Sequence, residues 1–328
     1  MKTTSKVFQA TIGAALAAFS ATTMAASLPG PVVSAQWLHD HLSEVTVLDV
    51  RGDLAGFTAA PEYKADDKGG RKLDATGGHI DGALLVDFAK IRVDRNIDGR
   101  TVKAMLPEKA AFEELMQADG LTKDKPIVIT SPGEKLDDLE MATRLYWSLK
   151  YYGVTEMAVL DGGNAAWLGA DYAVSTDKPA VARGDWHALG EHAEIVADMG
   201  RVEKALGKHK TQLVDARPLA QYWGVVYKKP IVTAGGHLAG AKSLPPDLTA
   251  RPAGLAQTFL SADEYRAVMK AQGIKPDAAT ITYCNTAHIA SATWFIQSEI
   301  LGNRNVRLYD GSMHEWTTAG KPVVALAK

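Results

Sequence analysis

Four sequence blocks occur twice along this chain, in the same order, and that duplication constrains the fold more than any other feature. In the first half they read VTVLDVRG (45–52), GGHIDGALLV (77–86), IVITS (127–131) and VLDGGNAAW (159–167). In the second half they read QLVDARP (212–218), GGHLAGAKSL (235–244), TITYC (280–284) and LYDGSMHEW (308–316). The offset between copies drifts smoothly: 166 from Asp49 to Asp215, 158 from His79 to His237, 153 from Ser131 to Cys284 and 149 from Trp167 to Trp316. Chance similarity does not keep order, so the chain reads as two homologous domains of roughly 150 residues each, an ordinary domain size.

The blocks also have a physical reading. Val45, Val47, Leu48 and Val50 form a short apolar run rich in β-branched residues, as does Ile127–Ile129, and such runs suit strands buried on both faces. Ala142, Leu145, Leu149 and Tyr152 recur at helical spacing, with Gly153 as a stop. Ile289, Ala292, Ile296 and Ile300 repeat the pattern before Gly302. Strands alternating with helices predict α/β domains with largely parallel sheets, in which ligands bind beyond the carboxyl ends of the strands. The expected division is a first domain over 28–175, a linker over 176–190 and a second domain over 191–328, opened by a helix from Ile195 to Leu206.

Cys284 is the only cysteine. It falls where a strand ending at Tyr283 turns through Cys284-Asn285-Thr286-Ala287-His288 into a helix beginning near Ile289. Free N–H groups and the positive end of a helix favour a thiolate at such a turn. The first copy has Ser131 in this slot, followed by the longer, acidic stretch PGEKLDDLE, so that domain is expected to be catalytically silent.

Residues 1–25 read as an export signal. Lys2 and Lys6 precede an apolar stretch from Ala10 to Phe19, and small residues close at Ala25-Ala26. The stretch is too short to span a bilayer, and no cysteine near the cleavage point offers a lipid anchor. The implied location is periplasmic or secreted, with no stable membrane anchor. Removing two lysines and no acids takes the formal charge from −2 to −4, which argues against nonspecific nucleic-acid binding. A single thiol retained in an oxidising compartment is a candidate reactive group.

Together the blocks resemble the rhodanese superfamily, in particular its tandem-domain thiosulfate and 3-mercaptopyruvate sulfurtransferases. LDVRG and LVDARP, the two GGH motifs, LDGGNAAW and YDGSMHEW, and the loop sequence YCNTAHIAS carry the likeness. The resemblance implies an α/β fold of two tandem rhodanese-like domains, each a mainly parallel sheet flanked by helices, with the active cysteine in the second. It implies a two-step relay in which Cys284 takes a sulfane sulfur from a small donor such as thiosulfate, as a persulfide, and passes it to a thiol or cyanide acceptor. A protein acceptor stays open, as does a carrier or binding role without turnover. Asn285, Thr286, Ala287, His288 and Ile289 would form the active-site loop.

This loop matches neither the cationic loop of thiosulfate-preferring members nor the Cys-Gly-Ser-Gly-Val type of mercaptopyruvate-preferring ones. Ala287 replaces a usual glycine. Gln221 stands where many members have a substrate-binding arginine. Candidate substrate-binding residues are Gln221, Trp223, Lys242 and His288, with Lys228 and Lys229 as further sources of charge. His288 is expected to be partly protonated near neutral pH, and Trp223 to cover the cleft. Asp49 with Arg51 and Asp215 with Arg217 read as strand-end ion pairs, and His79 and His237 as turn-bracing residues. No metal-ligand spacing is evident and no cofactor is implied. A cysteine phosphatase needs an arginine closing the loop, and positions 290 and 291 are alanine and serine. A cysteine protease needs a histidine reaching across a cleft, and His288 is too close in sequence.

Overall fold

The computed structural model describes residues 27–66, 70–206 and 210–326. The export-signal reading of residues 1–25 lies outside them. Among the described residues no helix is long and apolar enough to cross a membrane.

Each half forms a five-stranded parallel sheet. In the first half the strands are β1 (Val32–Val33), β2 (Thr46–Arg51), β3 (Leu84–Asp87), β4 (Ile127–Thr130) and β5 (Met157–Leu160), in spatial order β1-β5-β4-β2-β3. In the second they are β6 (Val196–Ala197), β7 (Gln212–Asp215), β8 (Lys242–Ser243), β9 (Thr280–Tyr283) and β10 (Val306–Tyr309), in order β6-β10-β9-β7-β8. The two orders are identical. The central strands β4, β5 and β9 are buried at every position, as expected of a sheet covered on both faces.

The strand-end arginines brace each sheet. Arg51 pairs with Asp49 at 2.7 Å and also donates to the Gly78 carbonyl. Arg217 pairs with Asp215 at 2.5 Å and donates to the Gly236 carbonyl. His79 Nδ1 meets the Phe57 carbonyl, and His237 Nδ1 the Tyr222 carbonyl, both at 2.8 Å. Trp167 and Trp316 are buried, each bonding a main-chain carbonyl through Nε1.

Two helices form the seam between the halves. α1 (Leu136–Tyr151) begins where the Asp138 carboxylate accepts the N–H groups of Glu134 and Lys135. α2 (Gly163–Gly169) follows β5. α3 (His288–Phe295) runs on into one π-helical turn over Ile296–Ile300, and α4 (Ser312–Thr318) follows β10. α1 packs along α3. Between them the Thr143 and Ser291 hydroxyls meet at 3.0 Å, and Tyr146 and Lys150 both donate to Glu299.

Each half also sends a hairpin over the other. The first hairpin (Val93–Ile97 with Arg100–Met105) turns at Asp98-Gly99, both left-handed, and packs on α4. The second (Arg251–Ala253 with Ala256–Thr258) packs on α2. Beyond each hairpin one main-chain N–H is clasped by the other half's DG-motif aspartate. Leu106 donates to Asp310 at 2.8 Å, and Phe259 donates to Asp161 at 2.9 Å.

The stretch 176–190 has no strand or helix and packs on the first half. The buried Trp186 ring meets Phe112 edge-on, and the N–H groups of Gly184, Trp186 and Leu189 bond carbonyls of the first half. The helix expected over Ile195–Leu206 is instead a 3-10 turn (Ala193–Ile195), strand β6 and a helix over Met199–Ala205. Val196 and Ala197 pair with β10, and the Asp198 carboxylate caps the Arg201 N–H at 2.7 Å, which fixes the later start.

Candidate active site

The loop after β9 is held by the loop after β10. The Ser312 hydroxyl accepts the N–H of Cys284 at 3.2 Å and that of Ala287 at 3.1 Å, and donates to the Tyr309 carbonyl at 2.7 Å. The N–H groups of Met313 and His314 bond the carbonyls of Cys284 and Asn285. Ala287 sits at φ 56°, in the left-handed region, where a residue other than glycine is strained by about 1 kcal/mol. The result is a curl in which the Thr286 and Ala290 N–H groups favour the ionised Cys284 sulfur, an anion nest in outline.

The first half shows why Ser131 has no such nest. The carbonyls of Ser131 and Pro132 are bonded by the N–H groups of Asn164 and Ala165, as in the second half. The position equivalent to Ser312 is Gly163, at the same offset of 149 as the tryptophans. Gly163 has no side chain to prop the loop open, and a Cβ there would lie 2.4 Å from the Ser131 carbonyl oxygen and 3.0 Å from Gly133 Cα. The first loop has closed onto the space that the Ser312 hydroxyl keeps.

Cys284 lies on the floor of a cavity of about 490 Å³ between the halves. The second half contributes Lys228, Ile231, Cys284, Asn285, Thr286, His288 and Ile289. The first half contributes Ala89, Arg92, Asp94, Lys103, Ala104 and Asp137. Lys103 lies on the hairpin that crosses the seam, and Arg92 immediately precedes its first strand. The Arg92 guanidinium lies 4.1 Å over the Phe88 ring, and its buried Nε has no partner. Burial, and next the charge of Arg144, push its pKa down to about 10, so it stays cationic at neutral pH. Arg144 is committed elsewhere, to Asp310 at 2.6 Å.

Several site expectations change here. Cys284 is only 1% exposed, and burial raises its thiol pKa despite the two N–H groups that favour the anion. Desolvation outweighs the helix end. His288 does not face solvent. Its side chain is 12% exposed, and burial, Arg92 and Arg144 hold its pKa well below the usual histidine value, so the ring is neutral. Gln221 does not line the cavity; its Oε1 accepts from Asn285 Nδ2 at 2.8 Å and braces the loop from behind. Trp223 is 43% exposed, edge-on to Tyr222 and His237, and covers no part of the cavity. Lys242 bonds the Gly273 carbonyl and lines a different cavity. Lys229 lies 4.9 Å from the Tyr227 ring, while Lys228 does reach the cavity.

The sequence reading missed Arg92, Lys103 and Glu140. The signal for the first two was Asp98-Gly99 within RVDRNIDGRTV, a two-residue hairpin turn whose basic strands cross to the other half. Glu140 is 3% exposed on α1, and burial, then Asp137 and Asp138, push its pKa up to about 8. When ionised, it pushes the Cys284 thiol pKa up further.

The rhodanese-like domain profile matches residues 34–170 and 198–319. A Haloferax volcanii protein with a provisional thiosulfate sulfurtransferase name is 30% identical over 297 residues, covering 89% of this chain and 95% of its own. A sulfur carrier protein of Thermus thermophilus is 28% identical over 306 residues, covering 90% and 96%. A solved structure from Escherichia coli, described as a 3-mercaptopyruvate sulfotransferase, superposes with a TM-score of 0.68 at 24% identity, covering 86% of this chain and 98% of that one.

Proposed function

The chain belongs to the rhodanese family, and on that premise we propose that it is a sulfurtransferase that carries sulfane sulfur as a persulfide on Cys284, drawn from a small anionic donor of the thiosulfate type. The observation that carries this reading is the cavity in which the only thiol meets three cationic side chains, Arg92, Lys103 and Lys228, without a metal or cofactor being needed for the chemistry.

The Cys284 thiolate attacks the outer sulfur of thiosulfate. A new S–S bond forms, the donor's S–S bond breaks, and sulfite leaves with the bonding pair. The product is an anionic persulfide, whose terminal sulfur a second nucleophile such as cyanide or a thiolate then removes, regenerating the thiolate. The cations of the first half hold the donor's negative charge in place of the arginine that Gln221 replaces. The Thr286 and Ala290 N–H groups favour the anionic sulfur in each state. The first half thus contributes to the site through its hairpin, although Ser131 stands in the cysteine slot.

The test is thiocyanate formation from thiosulfate and cyanide by the purified chain, with 3-mercaptopyruvate as a second donor. Turnover that disappears in Cys284→Ser supports the reading, and turnover that survives that substitution overturns it. Burial of the thiol favours a second reading, a persulfide carrier that discharges only to a partner protein, as the name of the Thermus relative suggests. A persulfide that forms on Cys284 but resists cyanide selects the carrier. Export to the periplasm remains part of the proposal; N-terminal sequencing of the chain recovered from its native cells tests it, with cleavage after Ala25 or Ala26 expected.

A further inference from the structure

We propose that Asp137, Glu140 and His288 form a binding site for a first-row divalent cation such as Zn²⁺ at the seam between the halves. One ligand atom from each of the three lies within 4.8 Å of the others. Asp137 and Glu140 are one turn apart on α1, and His288 opens α3 from the other half. The His288 ring already faces the Asp137 carboxylate, with Nδ1 and Oδ1 3.6 Å apart.

Two further observations point to a missing occupant. Glu140 is 3% exposed and its Oε1 is buried with no hydrogen-bond partner. His288 Nε2 is likewise buried and unpartnered. Native interiors rarely strand buried polar atoms, and such orphans call for an ion or water. The donor set is one imidazole and two carboxylates, which suits zinc and its neighbours rather than calcium, which takes six or more oxygens. Bonds of about 2.1 Å in a tetrahedron place ligand atoms about 3.4 Å apart. Asp137, with its side chain 68% exposed, has the freedom to supply the remaining closure. Three protein ligands leave a fourth position for water or a small anion.

The charge balance permits a cation there. Arg92, Arg144 and Lys228 all act on His288, but Arg144 is neutralised by Asp310 at 2.6 Å; Asp137, joined by Glu140 once a cation displaces the proton that burial holds there, stands against the remaining two cations. Asp137 and His288 also line the Cys284 cavity, so a bound ion would form part of its wall. The sequence offers no metal-ligand spacing because the ligands come from different halves.

Equilibrium dialysis of the metal-stripped native chain against Zn²⁺ alone tests the site. The expected result is one ion per chain, retained in Cys284→Ser and weakened about tenfold or more in Glu140→Gln and in His288→Ala. No binding by the native chain overturns the proposal. So does binding that survives both ligand substitutions, or binding lost only with the thiol. Anomalous diffraction from native crystals soaked in Zn²⁺ needs no variant: an ion between the three side chains supports the site, and an ion only elsewhere, or none, overturns it.

Discussion

Replacing Ser312 by alanine removes one hydroxyl and is expected to undo the loop that holds Cys284. The hydroxyl accepts two buried N–H groups, at 3.2 Å from Cys284 and 3.1 Å from Ala287, and satisfies the Tyr309 carbonyl at 2.7 Å. Ser312 and its neighbours are fully buried, so each stranded N–H loses about 1–3 kcal/mol. The sum for two is about 2–6 kcal/mol, a large part of the stability of an ordinary domain. Ser312 also sits at φ 49°, so Ser312→Gly removes the same hydroxyl while relieving about 1 kcal/mol of backbone strain. Guanidinium unfolding of both variants separates the two effects: alanine is expected to be the less stable, and both to fall below native. Alkylation of Cys284 should change rate in both, because the curl collapses toward the closed form that Gly163 permits around Ser131. A loss under about 0.5 kcal/mol for alanine, with unchanged alkylation, refutes the role given to this hydroxyl.

Other perturbations test other parts of the account. Arg92→Met keeps the stem on Phe88 and removes the charge; losing one charged hydrogen bond to the donor should raise the thiosulfate KM about 10–100-fold with a smaller effect on kcat, and an unchanged KM removes Arg92 from donor binding. Glu140 has a folded pKa of about 8 against an ordinary value of 4.5, so the folded chain keeps a proton that the unfolded chain releases. That contribution to stability is fully present below about pH 4.5 and is lost as the pH rises to about 8. With EDTA present, Glu140→Gln should therefore gain on the native chain by on the order of 3 kcal/mol between pH 5 and 8, and parallel stability curves would contradict the assigned protonation. Asp310→Asn strands the buried Arg144 guanidinium across the seam and should cost about 3–5 kcal/mol in chemical unfolding; a neutral result means that Asp310 does not hold the halves together.

The duplicated blocks made much of the fold legible. LDVRG and LVDARP place β2 and β7 with their arginine braces, and the two DG motifs mark the ends of β5 and β10. Their aspartates prove to clasp the opposite hairpin, a long-range pairing that no local pattern encodes. The position of Cys284 was readable for the same local reason, a strand running into a helix. Its ionisation was not, because desolvation depends on what the other half lays over it. His288 failed for that reason too: in isolation the loop exposes it, whereas Phe88, with its ring 4.5 Å away, Arg92 and α1 enclose it. Gln221 stands in the place of a family arginine, Trp223 lies in a stretch expected to cover the cleft, and Lys242 is near in sequence, yet the structure places them behind the loop, on the surface and beside another cavity. Of the three cations lining the thiol's cavity, Arg92 and Lys103 come from the half that lacks the cysteine.

Intact-mass measurement of the chain after exposure to thiosulfate, with no acceptor present, tests the sulfur relay most directly. The expected spectrum shows one added sulfur atom, mapped to Cys284, absent in Cys284→Ser and removed by cyanide as thiocyanate appears. A native chain that stays unmodified at every donor concentration, or that gains sulfur when position 284 is serine, contradicts it.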